Sequence, residues 1–189
     1  MSELNVDTIN EQTAANGVTI DGVLIKDGKA GGQTLFAKEI DHFSLTVAKT
    51  TNGDITSDIS RLSDSILAGE AVGTGMTLSS GIFSFPSTGY YLIKVSAAWR
   101  TAANDGCALQ INATEDNSSY VKIGQVGFGK SNDGSNIDGS TYTEVLVKIT
   151  DTSNEKVKFT LDSMSTGSEL RAATSWNFTG FIFEKVGAI

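Results

Sequence analysis

The sequence predicts an all-β protein, an antiparallel β-sandwich preceded by a short segment of different texture. Three observations carry this. Apolar residues recur at every second position over long stretches, as in Tyr91, Ile93, Val95, Ala97 and Trp99, or Val157, Phe159 and Leu161. Turn signals separate these stretches at short intervals, and no long segment keeps a helical period. The 189 residues include 20 Gly but only 1 Pro, a composition suited to short strands joined by tight turns.

The opening segment reads as two very short strands. Val18-Thr19-Ile20 and Val23-Leu24-Ile25 flank Asp21-Gly22, with Asn16-Gly17 before and Asp27-Gly28 after. Such a piece cannot bury its apolar side alone and needs a partner. The stretch from Lys29 to Gln33 reads as a flexible joint. Next, Phe43, Leu45 and Val47 alternate with polar residues. Ile59, Leu62 and Ile66 have helical spacing, but in a Ser/Asp-rich context that allows one irregular turn. Beyond the long Tyr91–Trp99 alternation, Leu109 with Ile111, Val121 with Ile123, and Val145, Val147 with Ile149 each share a face. Turns are written at residues 104–106, 115–117, 131–139 and 151–155. Strands at such spacing indicate an antiparallel sandwich.

Two aromatic segments stand apart: Gly81-Ile82-Phe83-Ser84-Phe85-Pro86-Ser87-Thr88-Gly89-Tyr90-Tyr91-Leu92-Ile93, and Thr174-Ser175-Trp176-Asn177-Phe178-Thr179-Gly180-Phe181-Ile182-Phe183. Each carries a Gly, Gly89 and Gly180, where two backbones could approach closely. Together they resemble the second and last strands of a complement-globular-head (tumour-necrosis-factor-like) jelly roll, and the resemblance extends over about residues 40–189. The stretch from Val145 to Ile149, joined by a polar turn to Lys156-Val157-Lys158-Phe159, adds a looser match. The family often has a Gly-Asp pair in that turn; here it reads Asp151-Thr152-Ser153-Asn154-Glu155. The resemblance implies a jelly roll that usually works as a trimer.

Val6-Asp7-Thr8-Ile9 and residues 16–28 resemble a segment common near the start of marine bacteriophage structural proteins, where it is attached to diverse virion appendages. The implied organisation is an attachment segment at residues 1–35 and a jelly-roll head at 36–189. Val6, Ile9, Val18, Ile20, Val23, Leu24 and Ile25 are the candidates for docking on another virion protein.

Taken as one continuous strand, the closing segment is apolar on both faces: Trp176, Phe178 and Ile182 on one, Phe181 and Phe183 on the other. One solvated face would not need that. Phe181 and Phe183, with Tyr90 or Tyr91 as the resemblance implies, are therefore expected at a three-fold interface.

Chemistry is offered at a few places and declined at each. Gly124-Gln125-Val126-Gly127-Phe128-Gly129-Lys130-Ser131 satisfies the phosphate-loop formula, but the turn-rich residues after it supply no helix, so a chance match is expected. Residues 133–138 form an acidic loop that lacks the spacing of a helix-loop-helix calcium site. His42 is the only histidine and Cys107 the only cysteine, which excludes two-histidine metal sites and internal disulfides. Cys107, on a face with Leu109 and Ile111, is expected as a core thiol, and His42 polar-side out. No paired carboxylates stand out, and the Asn-X-Ser/Thr matches at Asn112, Asn117 and Asn177 carry weight only with a secretory route. No cofactor is expected. A net charge of −8 and a pI near 4.6 argue against a nucleic-acid partner. No run of 18 apolar residues suggests membrane insertion, and a start without signal-peptide regions leads to the expectation of cytoplasmic synthesis in a host.

The expected protein is a non-enzymatic homotrimer of a phage virion, a tail-fibre or surface-appendage component for host attachment. The alternative is a capsid decoration protein with a shell-stabilising role. Loops 102–106, 115–119 and 131–140 are the expected contacts with a host-surface glycan or protein.

Overall fold

The computed structural model describes residues 18–20, 23–26 and 29–30 as backbone, and residues 39–63, 66–67, 69–102, 105–129 and 134–189 in full. The chain divides into two compact units, Met1–Ala37 and Lys38–Ile189. Among the described residues every regular element is a strand.

The first unit is a three-stranded antiparallel sheet of β1 (Val18–Ile20), β2 (Val23–Lys26) and β3 (Lys29–Ala30). Val18 pairs with Ile25 and Ile20 with Val23, the two short strands expected on either side of Asp21-Gly22 in the sequence. Lys29 and Ala30 form a strand against Lys26 and Ile25, which corrects their reading as part of a flexible joint. Of the candidate docking residues, Val18, Ile20, Val23, Leu24 and Ile25 lie on these strands, whereas Val6 and Ile9 lie outside the described residues.

The second unit is an antiparallel jelly-roll sandwich. Its strands are β4 (Ile40–Leu45), β5 (Gly53–Asp54), β6 (Ile59–Ser60), β7 (Thr77–Ser79), β8 (Ile82–Ser84), β9 (Gly89–Thr101), β10 (Gly106–Thr114), β11 (Val121–Gly129), β12 (Ile137–Ile149), β13 (Lys156–Asp162), β14 (Glu169–Leu170) and β15 (Gly180–Gly187). The back sheet runs β11-β10-β13-β8-β7, with β5 also on β13. The front sheet runs β12-β9-β15-β4-β6, with β14 also on β9.

The alternating residues of β9 form the centre of the front sheet's inner face. Tyr91, Ile93, Val95, Ala97 and Trp99 are all buried, facing Leu109, Ile111, Val157, Phe159 and Leu161 of the back sheet. Five phenylalanines join the layers. Phe83 of β8 lies 5.1 Å from Phe43 and 4.8 Å from Phe183 between ring centroids, and Phe159 of β13 lies 4.3 Å from Phe181. Such pairs add about 0.5–1.5 kcal/mol each beyond their buried area.

The sequence alternation fails at two places, each for a local reason. In β11 an extra residue, Ile123, enters the ladder between Lys122 opposite Asn112 and Gly124 opposite Ile111. This bulge moves the inward face from Val121 to Gly124, Val126 and Phe128. In the closing segment the strand starts only at Gly180. Thr179 is buried just before it, accepting the Ala98 N–H and donating to the Arg171 carbonyl. Trp176 and Phe178 are thus off the strand, and the inference of two apolar strand faces does not hold. Of the two signature glycines, Gly89 makes a close backbone approach, since a Cβ there would sit 2.5 Å from the Gly187 carbonyl oxygen; Gly180 instead makes room for the Asn177 and His42 side chains.

Asp41, 2% exposed, ties β4 to the segment before β7. It accepts from Arg61 Nε at 2.7 Å, Arg61 Nη2 at 2.6 Å and the Met76 N–H at 2.6 Å, while the guanidinium lies 4.5 Å over the Phe43 ring. Asp41→Ala leaves a half-buried cation and a buried N–H without their acceptor. The expected loss is about 3 kcal/mol, read as a lower urea midpoint at unchanged slope. A midpoint equal to wild type contradicts this account of Asp41.

Candidate interaction surfaces

Because the odd-numbered residues of β9 and β12 point inward, the even-numbered ones form the outer face of the front sheet. Leu146 stands opposite Leu92, Tyr142 opposite Ser96, and Glu144 opposite Lys94, which in turn stands opposite Ile182. Tyr142 is 58% exposed and Leu146 60%, with Leu92 and Ile182 half-buried beside them. At the centre of this face the polar groups are paired: Lys94 Nζ lies 2.7 Å from Glu184 Oε2, and the Tyr142 hydroxyl donates to Glu144 at 2.7 Å. Pairing with Glu184 raises the Lys94 pKa. The centre of the face is therefore apolar with its neighbouring polar groups paired, a composition typical of an interface core.

Beside it the sandwich opens. Between the edge strands β11 and β12 lies a cleft of about 540 Å³, floored by Ala113, Val121, Ile123, Val147, Ile149 and Val157 and rimmed by Glu115, Asp116, Lys148 and Lys156. Val121 is 63% exposed at this cleft.

Of the four residues expected at an interface, three are core. Tyr91, Phe181 and Phe183 are each at most 1% exposed within the single chain, which removes them from any intersubunit contact. They face inward because β15 is in register with β9, Phe181 opposite Val95 and Phe183 opposite Ile93. The Tyr91 hydroxyl donates to Glu39 Oε2 at 2.7 Å, and burial, with Glu39 adding to it, pushes its pKa up to about 12. Only Tyr90 is exposed, at 37%, opposite Lys148 at the margin of the outer face. Sequence reasoning missed Tyr142 and Leu146 because it followed only Val145, Val147 and Ile149; the opposite phase of that same alternation carried the signal.

The registers also sort the loops into two ends. Gly89 pairs with Ile149, Thr114 with Lys156, and Ile40 with Glu184, which places residues 85–88, 115–120 and 150–155 at the end where residue 39 begins the unit. Thr101 pairs with Ile137, Gly106 with Gly129, and Ala108 with Asp162, so residues 102, 105, 134–136 and 163–168 share the far end. Residues 115–119 thus lie opposite the other two expected contact loops, correcting their grouping. Their turn is closed by Asp116 Oδ1, which accepts from the Ser118 and Ser119 N–H groups. In the 150–155 turn, Glu155 accepts from the N–H groups of Thr150 and Asp151.

At the far end Asp105 holds two loops together. It is 6% exposed and accepts from the Gly106 N–H, from the Ser165 N–H and Oγ, and from Ser168 Oγ. Burial pushes its pKa up, but these hydrogen bonds outweigh it and hold the carboxyl below its ordinary 3.8. The neighbouring Cys107 thiol is buried, and desolvation followed by the Asp105 charge pushes it up to about 11, the state of an unreactive core thiol.

The remaining chemical candidates resolve simply. Gly124 to Gly129 of the phosphate-loop formula lie inside β11, paired along β10, and an extended strand cannot wrap a phosphate; Lys130 and Ser131 lie outside the described residues. Asp138 of the acidic loop is engaged by Arg100 and Arg171, and Asp133 lies outside the described residues. His42 is half-buried rather than fully turned to water; burial lowers its pKa, against Asn177 and Asp41, which raise it. Among the described residues no three His, Cys, Asp or Glu side chains gather as metal ligands would, and no helix is long and apolar enough to cross a membrane.

The chain matches no protein-family model and no curated protein. Among solved structures it is similar to murine APRIL at pH 5.0, with a TM-score of 0.55 and 11% identity over 79% of this chain and 99% of that one. It is also similar to Eiger TNF from S. frugiperda, with a TM-score of 0.56 and 13% identity over 82% of this chain and 96% of that one. At these identities the likeness shows the fold, a tumour-necrosis-factor-like jelly roll.

The Asp105 bonds give a pH signature. A carboxyl with a depressed folded-state pKa contributes stability above its unfolded value, and that contribution is lost as pH falls below 3.8 through the folded value. Asp105→Asn is expected to be less stable than wild type at neutral pH, with the difference shrinking as pH drops below about 4. A difference constant from pH 7 to pH 2 in denaturant titrations contradicts this role for the ionised carboxylate.

Proposed function

We propose that this chain is a non-enzymatic subunit of a homotrimeric bacteriophage appendage that attaches the particle to its host. The observation that carries the assembly is the coexistence of two dissimilar apolar surfaces, the Leu92–Tyr142–Leu146 face and the β11–β12 cleft. A face that fits a cleft on a second copy makes a heterologous contact, which closes into a ring when the rotation allows. Three is the number favoured by the jelly-roll resemblance, whose members usually work as trimers. The virion reading rests on the resemblance of Val6 to Ile9 and of residues 16–28 to phage structural proteins. The first unit is then the anchor, docking on another virion protein through Val18, Ile20, Val23, Leu24 and Ile25 of its strands together with Val6 and Ile9. The loops at the far end of the second unit, opposite residue 39, are turned toward a host-surface glycan or protein. Synthesis would be in the host cytoplasm and the final location the virion.

Light scattering of the full chain is expected to give about three times the 19.9 kDa chain mass. Leu146→Arg places an unpaired cation in the contact and is expected to give folded monomers with an unchanged far-UV circular dichroism spectrum and a thermal midpoint that no longer rises with protein concentration. A wild-type monomer, or a Leu146→Arg trimer, sinks the assembly reading. Particles lacking the protein are expected to remain intact but adsorb poorly. Particles that adsorb normally and come apart indicate the shell-stabilising role instead.

A further inference from the structure

On the flank of the second unit two opposite charges stand without a partner. Among the residues described in full, every lysine and arginine side chain but one is engaged within the chain. Most sit on carboxylates, while Lys122 donates to Gln125 at 3.0 Å and Lys156 to the Thr152 carbonyl at 2.6 Å. The exception is Lys148. It follows Leu146 by two residues on β12, so both project from the outer face, Leu146 opposite Leu92 and Lys148 opposite Tyr90. Two steps along a strand separate them by about 6.6 Å. The carboxylates at the β11–β12 cleft show the same contrast. Asp116 accepts from the turn it closes, and Glu155 accepts from Thr150 and Asp151. Glu115, which directly follows β10, is engaged by nothing among the described residues. Lys148 and Glu115 are both exposed, and both line the cleft.

We propose that Lys148 of one copy pairs with Glu115 of the next across the face-to-cleft contact, and that this pair directs the contact. The inference deepens the assembly reading above and rests on it. When Leu146 enters the cleft of a second copy, Lys148 arrives at its rim, where Glu115 is the carboxylate not already engaged. The cleft thus suits an apolar group with a cation beside it on the same strand face, which is what β12 of another copy presents. The chain carries −8, so two copies repel at long range, and a local attraction at the contact opposes that repulsion and aligns the encounter. The pair also favours closure. Each copy offers its Lys148 to one neighbour and its Glu115 to the other, so an open pair of copies leaves one of each unmatched. A closed ring leaves none. An exposed ion pair adds little affinity by itself. Its effect is on register and partner choice, because reversing one charge sets like charges against each other.

The test is a charge swap in the full chain: Lys148→Glu, Glu115→Lys and the double variant, with native mass followed by light scattering over a dilution series. Each single reversal is expected to raise the concentration at which the trimer dissociates about tenfold or more, and the double variant to return it close to wild type. At about 1 M salt, where the screening length falls to about 3 Å, the penalty of each single reversal is expected to shrink. The same changes are then made in Leu146→Arg, which removes the contact. There the shifts in urea midpoint are expected to add, whereas a pair formed within one chain would still couple them. Single reversals that dissociate as wild type does overturn the pair and leave the assembly standing. So does a double variant no better than the sum of the singles, or coupling that persists in Leu146→Arg. A wild-type chain that is monomeric at every concentration overturns the pair and the assembly together.

Discussion

The packing of Phe83 and Phe159 from the back sheet against Phe43, Phe181 and Phe183 from the front sheet fixes everything else in the second unit. It commits β15 to one register against β9, with Phe181 opposite Val95 and Phe183 opposite Ile93. A slip of one residue would bury Ile182 and Glu184 and expose both rings. The Lys94–Glu184 pair on the outside depends on the same register. So does the outer face itself, because what β9 and β12 present to solvent is whatever the phenylalanine layer leaves over.

That dependence explains which parts of the molecule were legible in the sequence. Tyr91 to Trp99 and Val157 to Leu161 read correctly because every alternate position is apolar and the strands are regular. The β11 bulge was not legible: Ile123 is as apolar as its neighbours, and only the pairing with β10 reveals it as the extra residue. The closing segment misled for a related reason. Trp176 and Phe178 are in phase with Ile182, yet Thr179 anchors the chain to Ala98 and Arg171 and the ladder starts only after it. Periodicity cannot see where a strand begins. Tyr91, Phe181 and Phe183 are thus core rather than interface, while Tyr142 and Leu146, spaced among Glu144 and Lys148, look in the sequence like a solvated face. Their neighbours across the sheet, Leu92 and Ile182, are what make that face apolar.

The same topology separates the flank of the sandwich from its two ends. The outer face and the β11–β12 cleft lie along the flank of the sandwich, where one copy can meet another. The two ends differ from each other. The end at residue 39 carries tight turns capped by Asp116 and Glu155, and the far end carries loops tied by Asp105.

The central claim is that the flank mates face to cleft, and single-cysteine variants test it most directly. Leu146→Cys and Val121→Cys proteins, prepared separately and then mixed under mild oxidation, are expected to form a mixed disulfide, while neither links to itself; the buried Cys107 stays silent. Self-linking of Leu146→Cys alone would mean a two-fold, face-to-face contact. That result, or no linking in any sample, contradicts the account.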